Sequence, residues 1–350
     1  MGKMLFKLVA IFLIIGVFIT SAELIFVPKN GHYNKSNQIF YNDNREVVDV
    51  GLFGGSHAYN AFCPSVIYEN NGIKAFNYSV SGQPITLTYY VMKEAIATQN
   101  LKVAVVDLYY LGQTSEYFKQ EYYIRNTIDY MKFSRNKLDA IFANIQPNNR
   151  ISYILNFVSY HSRWNDLTES DFNHKVNDSS YYKLGWGNET NVYGSDFPKN
   201  IRHEDKAKIP EKTLDYLNRI IELAKEHNIK LVFTALPHDY EKEGKPDAWV
   251  EDEYGMYNTV REIAKKNGIE FIQFLDILDE IGFVPREDMY NAGHMNVRGA
   301  KEVSTYLGNL ISKNYSDVLD TSRNEKFDNY LLEYKKTYAE NEQIVFKNIK

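Results

Sequence analysis

Val47-Val48-Asp49-Val50-Gly51-Leu52-Phe53-Gly54-Gly55-Ser56-His57-Ala58-Tyr59-Asn60 opens the folded part of this chain. The run Val47 to Phe53 is rich in β-branched and apolar residues and breaks at once into two glycines and a serine, the pattern of a strand ending in a tight turn. Glycines let the backbone turn sharply and let another group approach it closely. A serine there is displayed at the rim of a sheet, where an imidazole from another loop could activate it. Gly-Gly-Ser is equally the composition of an ordinary turn.

The segments that follow place that strand in a larger pattern. Ile73 to Tyr78 reads as a second strand, and Leu87, Tyr90, Val91 and Ala95 recur at helical spacing. Val103-Ala104-Val105-Val106 is almost continuously apolar, as in a strand buried on both faces. Pro210 can begin a helix carrying Leu214, Leu217, Ile221 and Ala224. Leu231-Val232-Phe233 and Ile269 to Phe274 are further strands, with a helix marked by Val260, Ile263 and Ala264 between them. Ala300, Val303, Leu307, Leu310 and Ile311 belong to a last amphipathic helix. Strands and helices taking turns at this spacing give an α/β fold: a parallel sheet covered by helices on both faces, in three layers.

The alternation fails between residues 112 and 205, which are aromatic and helical in character and predict an insertion over the carboxyl edge of the sheet. Ligand clefts of open α/β sheets form at that edge. Ahead of the domain, Lys3 and Lys7 precede an apolar stretch, and Leu8 to Val27 gives 20 residues, enough to cross about 30 Å of hydrocarbon. Residues 4–27 are therefore expected to form a transmembrane anchor, with a cleaved signal peptide as the alternative. The lysines put the N-terminus in the cytoplasm and residues 46–313 outside the cell membrane. Residues 28–45 read as a polar linker, and 314–350 as a charged tail with one helix, Phe327 to Ala339.

Composition removes several classes. A net charge of −5 leaves no basic footprint for nucleic acid. One cysteine, Cys63, excludes an internal disulfide and a thiolate metal cage. The chain lacks phosphate-cradling glycine motifs and a histidine pair at helical metal-ligand spacing, so neither a cofactor nor a metal is expected. The 28 tyrosines suit either a carbohydrate-facing surface or half-buried packing.

A second segment completes a pattern. Gly54-Gly55-Ser56-His57-Ala58 and His294-Met295-Asn296-Val297-Arg298-Gly299-Ala300 resemble the first and last blocks of the SGNH (GDSL-like) hydrolase superfamily, across roughly residues 46 to 313 apart from the insertion. Ser79-Val80-Ser81-Gly82-Gln83-Pro84 matches its second block. The resemblance implies Ser56 as nucleophile, His294 as general base, and the Ser56 and Gly82 N–H groups as an oxyanion hole. Two positions depart from the family pattern. Its Asp three residues before the His is Asn291 here, and in a Ser-His-Asp triad that replacement costs about 10⁴ in turnover. Either Asp288 replaces the missing acid or the pair works as a dyad. The third block offers Asp107-Leu108-Tyr109-Tyr110 in place of an Asn, which leaves the third oxyanion donor unassigned.

Anchor, linker, external domain and insertion together resemble the bacterial proteins that complete acylation of surface polymers, such as D-alanyl transfer and polysaccharide O-acetyltransferase proteins. That resemblance implies acyl transfer through Ser56 to a glycan or teichoic-type polymer, with a membrane-bound O-acyltransferase as donor partner. A carbohydrate esterase and a catalytically decayed scaffold or glycan-binding protein are the alternatives. His57 and Asn60 beside the nucleophile, and His161, Arg163 and Trp164 in the insertion, are expected substrate-binding residues, although Trp164 and Arg163 are equally suited to packing and ion pairing.

Overall fold

In a computed structural model describing residues 2–28, 47–172, 184–198, 200–245 and 248–349, the alternating pattern becomes five parallel strands. They are β1 (Val50–Phe53), β2 (Ala75–Asn77), β3 (Val103–Asp107), β4 (Lys230–Ala235) and β5 (Glu270–Gln273), in the order β2-β1-β3-β4-β5. Val50 pairs with Ala75 on one side and Val103 on the other, and Val106 pairs with Phe233. The chain runs from β1 outward to β2, then returns past β1 to β3. That reversal falls at the carboxyl ends of β1 and β3, the place where open α/β sheets as a class bind ligands.

Alternate residues of each strand enter two separate cores. Val50, Leu52, Val103, Val105 and Val232 face one core, and Phe53, Ala104, Val106, Leu231 and Phe233 the other. Among the described residues, the α-helices longer than four residues are α1 (Gly2–Phe26), α2 (Ser56–Ala61), α3 (Pro64–Asn71), α4 (Ile85–Thr98), α5 (Glu121–Ile128), α6 (Arg135–Asn144), α7 (Glu211–Glu226), α8 (Glu253–Asn267), α9 (Val297–Tyr315) and α10 (Glu325–Ile349). Ala58 of α2, Ile67 of α3 and Val303, Leu307 and Ile311 of α9 fill the first core. Leu87 and Val91 of α4, Leu217 and Ile220 of α7 and Val260 of α8 fill the second. Both faces of the sheet are thus covered, which is why the strands are apolar throughout.

Two segments differ from the sequence expectation. The tail helix runs from Glu325 to Ile349 rather than over 327–339, and buries Phe327, Leu331, Tyr334 and Val345. Its start is set by Asn324, whose side-chain oxygen accepts from the Lys326 and Phe327 N–H groups. It packs on α3 and α9, so the charged tail is part of the folded body. The later part of the insertion is not helical among its described residues. Leu184 instead extends the sheet edge by accepting from Asn77 N, and Trp186 Nε1 donates to Asn60 O at 3.0 Å.

α1 is apolar and long enough to cross a membrane, and Met4 to Phe18 are largely exposed. Its far end is clamped to the insertion. Phe157 N donates to Glu23 Oε1 at 2.8 Å, Tyr130 Oη donates to Pro28 O at 2.8 Å, and Arg163 donates to Phe26 O. The Phe157 ring meets Phe18 and Phe26 edge-on. The expected linker, apart from Pro28, falls outside the described residues.

Candidate active site

Ser56 starts α2 immediately beyond the carboxyl end of β1. The other five residues of that short helix are buried, which leaves Ser56 as its accessible member. His294 lies in the loop before α9, and its Nε2 is 2.8 Å from Ser56 Oγ. That loop is fixed by Asn296, whose Oδ1 caps α9 through Arg298 N and Gly299 N and whose Nδ2 donates to Glu287 O at 2.7 Å.

Asn291 supplies the partner of the other ring nitrogen. Its Oδ1 is 2.9 Å from His294 Nδ1 and also accepts from Gly293 N and His294 N, each at 2.9 Å. Two backbone donors can face only the carbonyl end of the amide, so its orientation is determined. His294 Nδ1 must then carry the proton, and Nε2 presents its lone pair to the serine hydroxyl. This is the tautomer a general base needs. Burial, reinforced by His57, holds the imidazole down to about 3, and Glu243 opposes that shift. The ring is therefore neutral at ordinary pH.

Asp288 does not partner the histidine. Its Oδ2 accepts from Val284 N at 2.7 Å and its Oδ1 lies 3.4 Å from Arg298 Nε. It closes the short turn ahead of the His294 loop. Burial pushes it up to about 6 against the pull of the Val284 N–H and Arg298.

Gly82 has φ +72°, and a Cβ there would lie 2.3 Å from Cγ of Tyr123, which the insertion lays against it. Among the described residues, no hydrogen bond uses the Ser56 or the Gly82 N–H. Gln83, which the sequence did not mark, ties this turn to β1. Its Nε2 donates to Gly54 O at 3.1 Å and its Oε1 accepts from Thr127 Oγ1. Asp107, where a third oxyanion donor was sought, joins the ends of β3 and β4 by accepting from Tyr109 N and Leu236 N, each at 3.4 Å. Burial pushes its carboxyl up to about 6, with His57 opposing.

The side chains expected to meet substrate have these partners within the chain. Asn60 is buried in α2, with Nδ2 donating to Ser56 O at 3.1 Å. His57 is buried behind Ser56, its Nε2 3.0 Å from Glu243 Oε1. Arg163 bonds Phe26 O and Asp171, and His161 Nδ1 lies 2.9 Å from Val158 O. Trp164 is 68% exposed in the same short turn, which contacts α1. Of the three, Arg163 is committed to the outer end of α1 through Phe26 O. Cys63 is buried, and burial pushes its thiol up to about 12.

No family model and no curated protein sequence matches this chain. Among solved structures, a likeness is found to an acetyl xylan esterase (Est2A) from the rumen bacterium Butyrivibrio proteoclasticus. It has 9% identity and a TM-score of 0.31, over 79% of this chain and 66% of that one. The chain thus spans just under two thirds of that enzyme. A likeness this distant carries no weight for reaction or substrate.

Behind His57 the loop after β4 delivers His238, Glu243 and Lys245, and α8 delivers Glu253. His57, His238 and Glu243 offer ligand atoms within 4.8 Å of one another, the spread of a metal site. Lys245 Nζ already stands among them, 3.0 Å from His238 Nε2, 3.4 Å from Glu243 Oε2 and 2.6 Å from Glu253 Oε2. His238 Nδ1 lies 3.1 Å from Leu236 O. A divalent ion would have to displace that lysine. Although burial opposes it, His57, His238 and Lys245 hold the Glu243 carboxyl well below its usual range.

Proposed function

We propose that this chain is a serine-dependent O-acyltransferase of the SGNH type, anchored by α1 with its catalytic domain outside the cell membrane. The observation that carries the reading is the line Ser56 Oγ–His294 Nε2 and His294 Nδ1–Asn291 Oδ1, at 2.8 and 2.9 Å. As Ser56 Oγ attacks an acyl carbonyl carbon, its proton passes to His294 Nε2, and the carbonyl oxygen gains charge. The uncommitted Ser56 and Gly82 N–H groups suit that oxygen, and removing one such donor costs about 10²–10³ in turnover. Collapse expels the donor's leaving group, which takes the proton back from His294. A hydroxyl of a surface glycan or teichoic-type polymer then gives its proton to His294 as its oxygen attacks acyl-Ser56. The acyl–Oγ bond breaks, His294 returns the proton to Ser56 Oγ, and the new ester is released. The clamp of Phe157 and Arg163 on α1 favours a membrane location, where a membrane-bound O-acyltransferase could load Ser56. Deacetylation by water is the second reading, since the same dyad serves either acceptor.

The test is intact-mass analysis of the full chain in detergent after exposure to an activated acetyl ester. An acetyl adduct on the wild type, absent in Ser56→Ala and cleared faster by added polyol or glycan than by buffer, supports transfer. Rapid clearance by buffer alone favours the esterase. Equal behaviour of wild type and Ser56→Ala overturns the nucleophile assignment and leaves a scaffold.

A further inference from the structure

Asn291 fixes the tautomer of His294 but brings no charge, and a base that becomes an imidazolium in the transition state gains from a nearby carboxylate. We propose that Glu243, acting across His57, is that carboxylate: a positioning residue for His294 that replaces the missing acid at position 291. The inference rests on the Ser56–His294 reading above.

Four observations carry it. Glu243 Oε1 lies 3.0 Å from His57 Nε2, within ion-pair distance though not aligned as a hydrogen bond. The His57 ring is stacked on the His294 ring at 28°, with centroids 5.0 Å apart. A Cβ on Gly293, the residue before His294, would stand 2.3 Å from the same Glu243 oxygen. The carboxylate thus rests against the backbone of the loop that carries His294, in space a side chain at 293 would occupy. Finally, the two loops are fastened together, because Asp239 N donates to Ala292 O at 2.8 Å and Glu243 N to Asp239 O at 2.9 Å.

The titratable and charged groups facing the two rings are Glu243 and His238 from the loop after β4, Asp107 and Tyr109 from the end of β3, and Tyr290 beside His294. Lys245, held by Glu253, sits behind His238. Of the two carboxylates among the groups that face the rings, Asp107 spends its oxygens on backbone N–H groups. Glu243 is the one that reaches the His294 loop.

A double-mutant cycle on the full chain decides it, reading the second-order rate of Ser56 phosphonylation by a fluorophosphonate across pH. Glu243→Gln keeps the shape and removes the charge. It should slow labelling about tenfold or more and move the acid limb to lower pH, since the imidazolium loses its counter-charge. Asn291→Asp should accelerate labelling about tenfold more in the Glu243→Gln background than in the wild type. Equal gains in both backgrounds, or an undiminished rate in a folded Glu243→Gln, overturn the role of Glu243 and leave Ser56 as nucleophile. If the wild type itself is not labelled at Ser56, the nucleophile reading and this inference both fail. Should Glu243→Gln not fold, Glu243→Asp retracts the charge by one methylene. A rate below wild type that Asn291→Asp restores supports the proposal, and a rate equal to wild type overturns it.

Discussion

Asn291 Oδ1 accepts from His294 Nδ1 at 2.9 Å while two backbone N–H groups hold the same oxygen in place. An amide at this position therefore need not scramble the histidine tautomer, because the loop settles which end of the amide faces the ring. The penalty an amide brings elsewhere comes through the wrong tautomer, and this geometry avoids it.

Removing that side chain should expose its role. Asn291→Ala leaves two backbone donors and the imidazole without an acceptor. Ser56 acylation is expected to fall about a hundredfold, with about 1–3 kcal/mol of lost stability from the unsatisfied groups. Labelling kinetics and thermal melting check the two parts separately.

Asp288 makes the contrasting case. It bonds Val284 N and faces Arg298, not His294, so Asp288→Asn should keep Ser56 acylation within about threefold of wild type. Its folded carboxyl is raised from 3.8 to about 6 by burial. The folded state thus holds this proton more tightly than the unfolded chain, and the cost of ionising it disappears as pH falls through 6. The Tm difference between wild type and Asp288→Asn should move in favour of wild type on acidification across that window.

His294 has the opposite sign. Burial and His57 hold it at about 3 against an ordinary 6.5, and a general base must be unprotonated to work. The rate of Ser56 labelling is expected to stay on its plateau as pH falls through 6.5, and to decline only toward about 3. A pH series with a phosphonate probe checks this. A limb near 6.5 would mean that the resting imidazole is far more solvated than its burial allows.

Gly82→Ala would force a side chain into φ +72° and against the Tyr123 ring. Left-handed backbone costs a non-glycine residue about 1–2 kcal/mol, and the ring contact adds to it. Stability should fall by at least that amount, and acylation more than tenfold as the Gly82 N–H moves. The double variant Gly82→Ala/Tyr123→Ala should recover part of the Tm and little of the rate.

Much of this was readable in the chain. The apolar runs at 50–53, 103–106 and 231–233 are continuous because helices cover both faces, and continuity is a local property. Ser56 beyond a strand and His294 before a helix are likewise local patterns, and a parallel sheet brings those strand and helix ends to one edge. The C-terminal helix was seen only in part, because charged residues separate the buried Phe327, Leu331, Tyr334 and Val345.

Glu243 and Lys245 were invisible to that reading. They sit in a polar loop with no periodicity, and their meaning comes from meeting His57, His238 and the Cα of Gly293 in space. Arg163 is suited to a glycan-binding cluster by residue type, yet its partners, Phe26 O and Asp171, were decided by where the insertion packs on α1. By itself, the sequence determined the strands, most of the helices and the placing of Ser56 after a strand and His294 before a helix, since propensity and hydrophobic period act over a few neighbouring residues. The tertiary structure decided which group orients the histidine, which carboxylate lies behind it and which aromatics hold the anchor. Charge, tautomer and contact depend on distances between residues far apart in the chain, and only packing sets those.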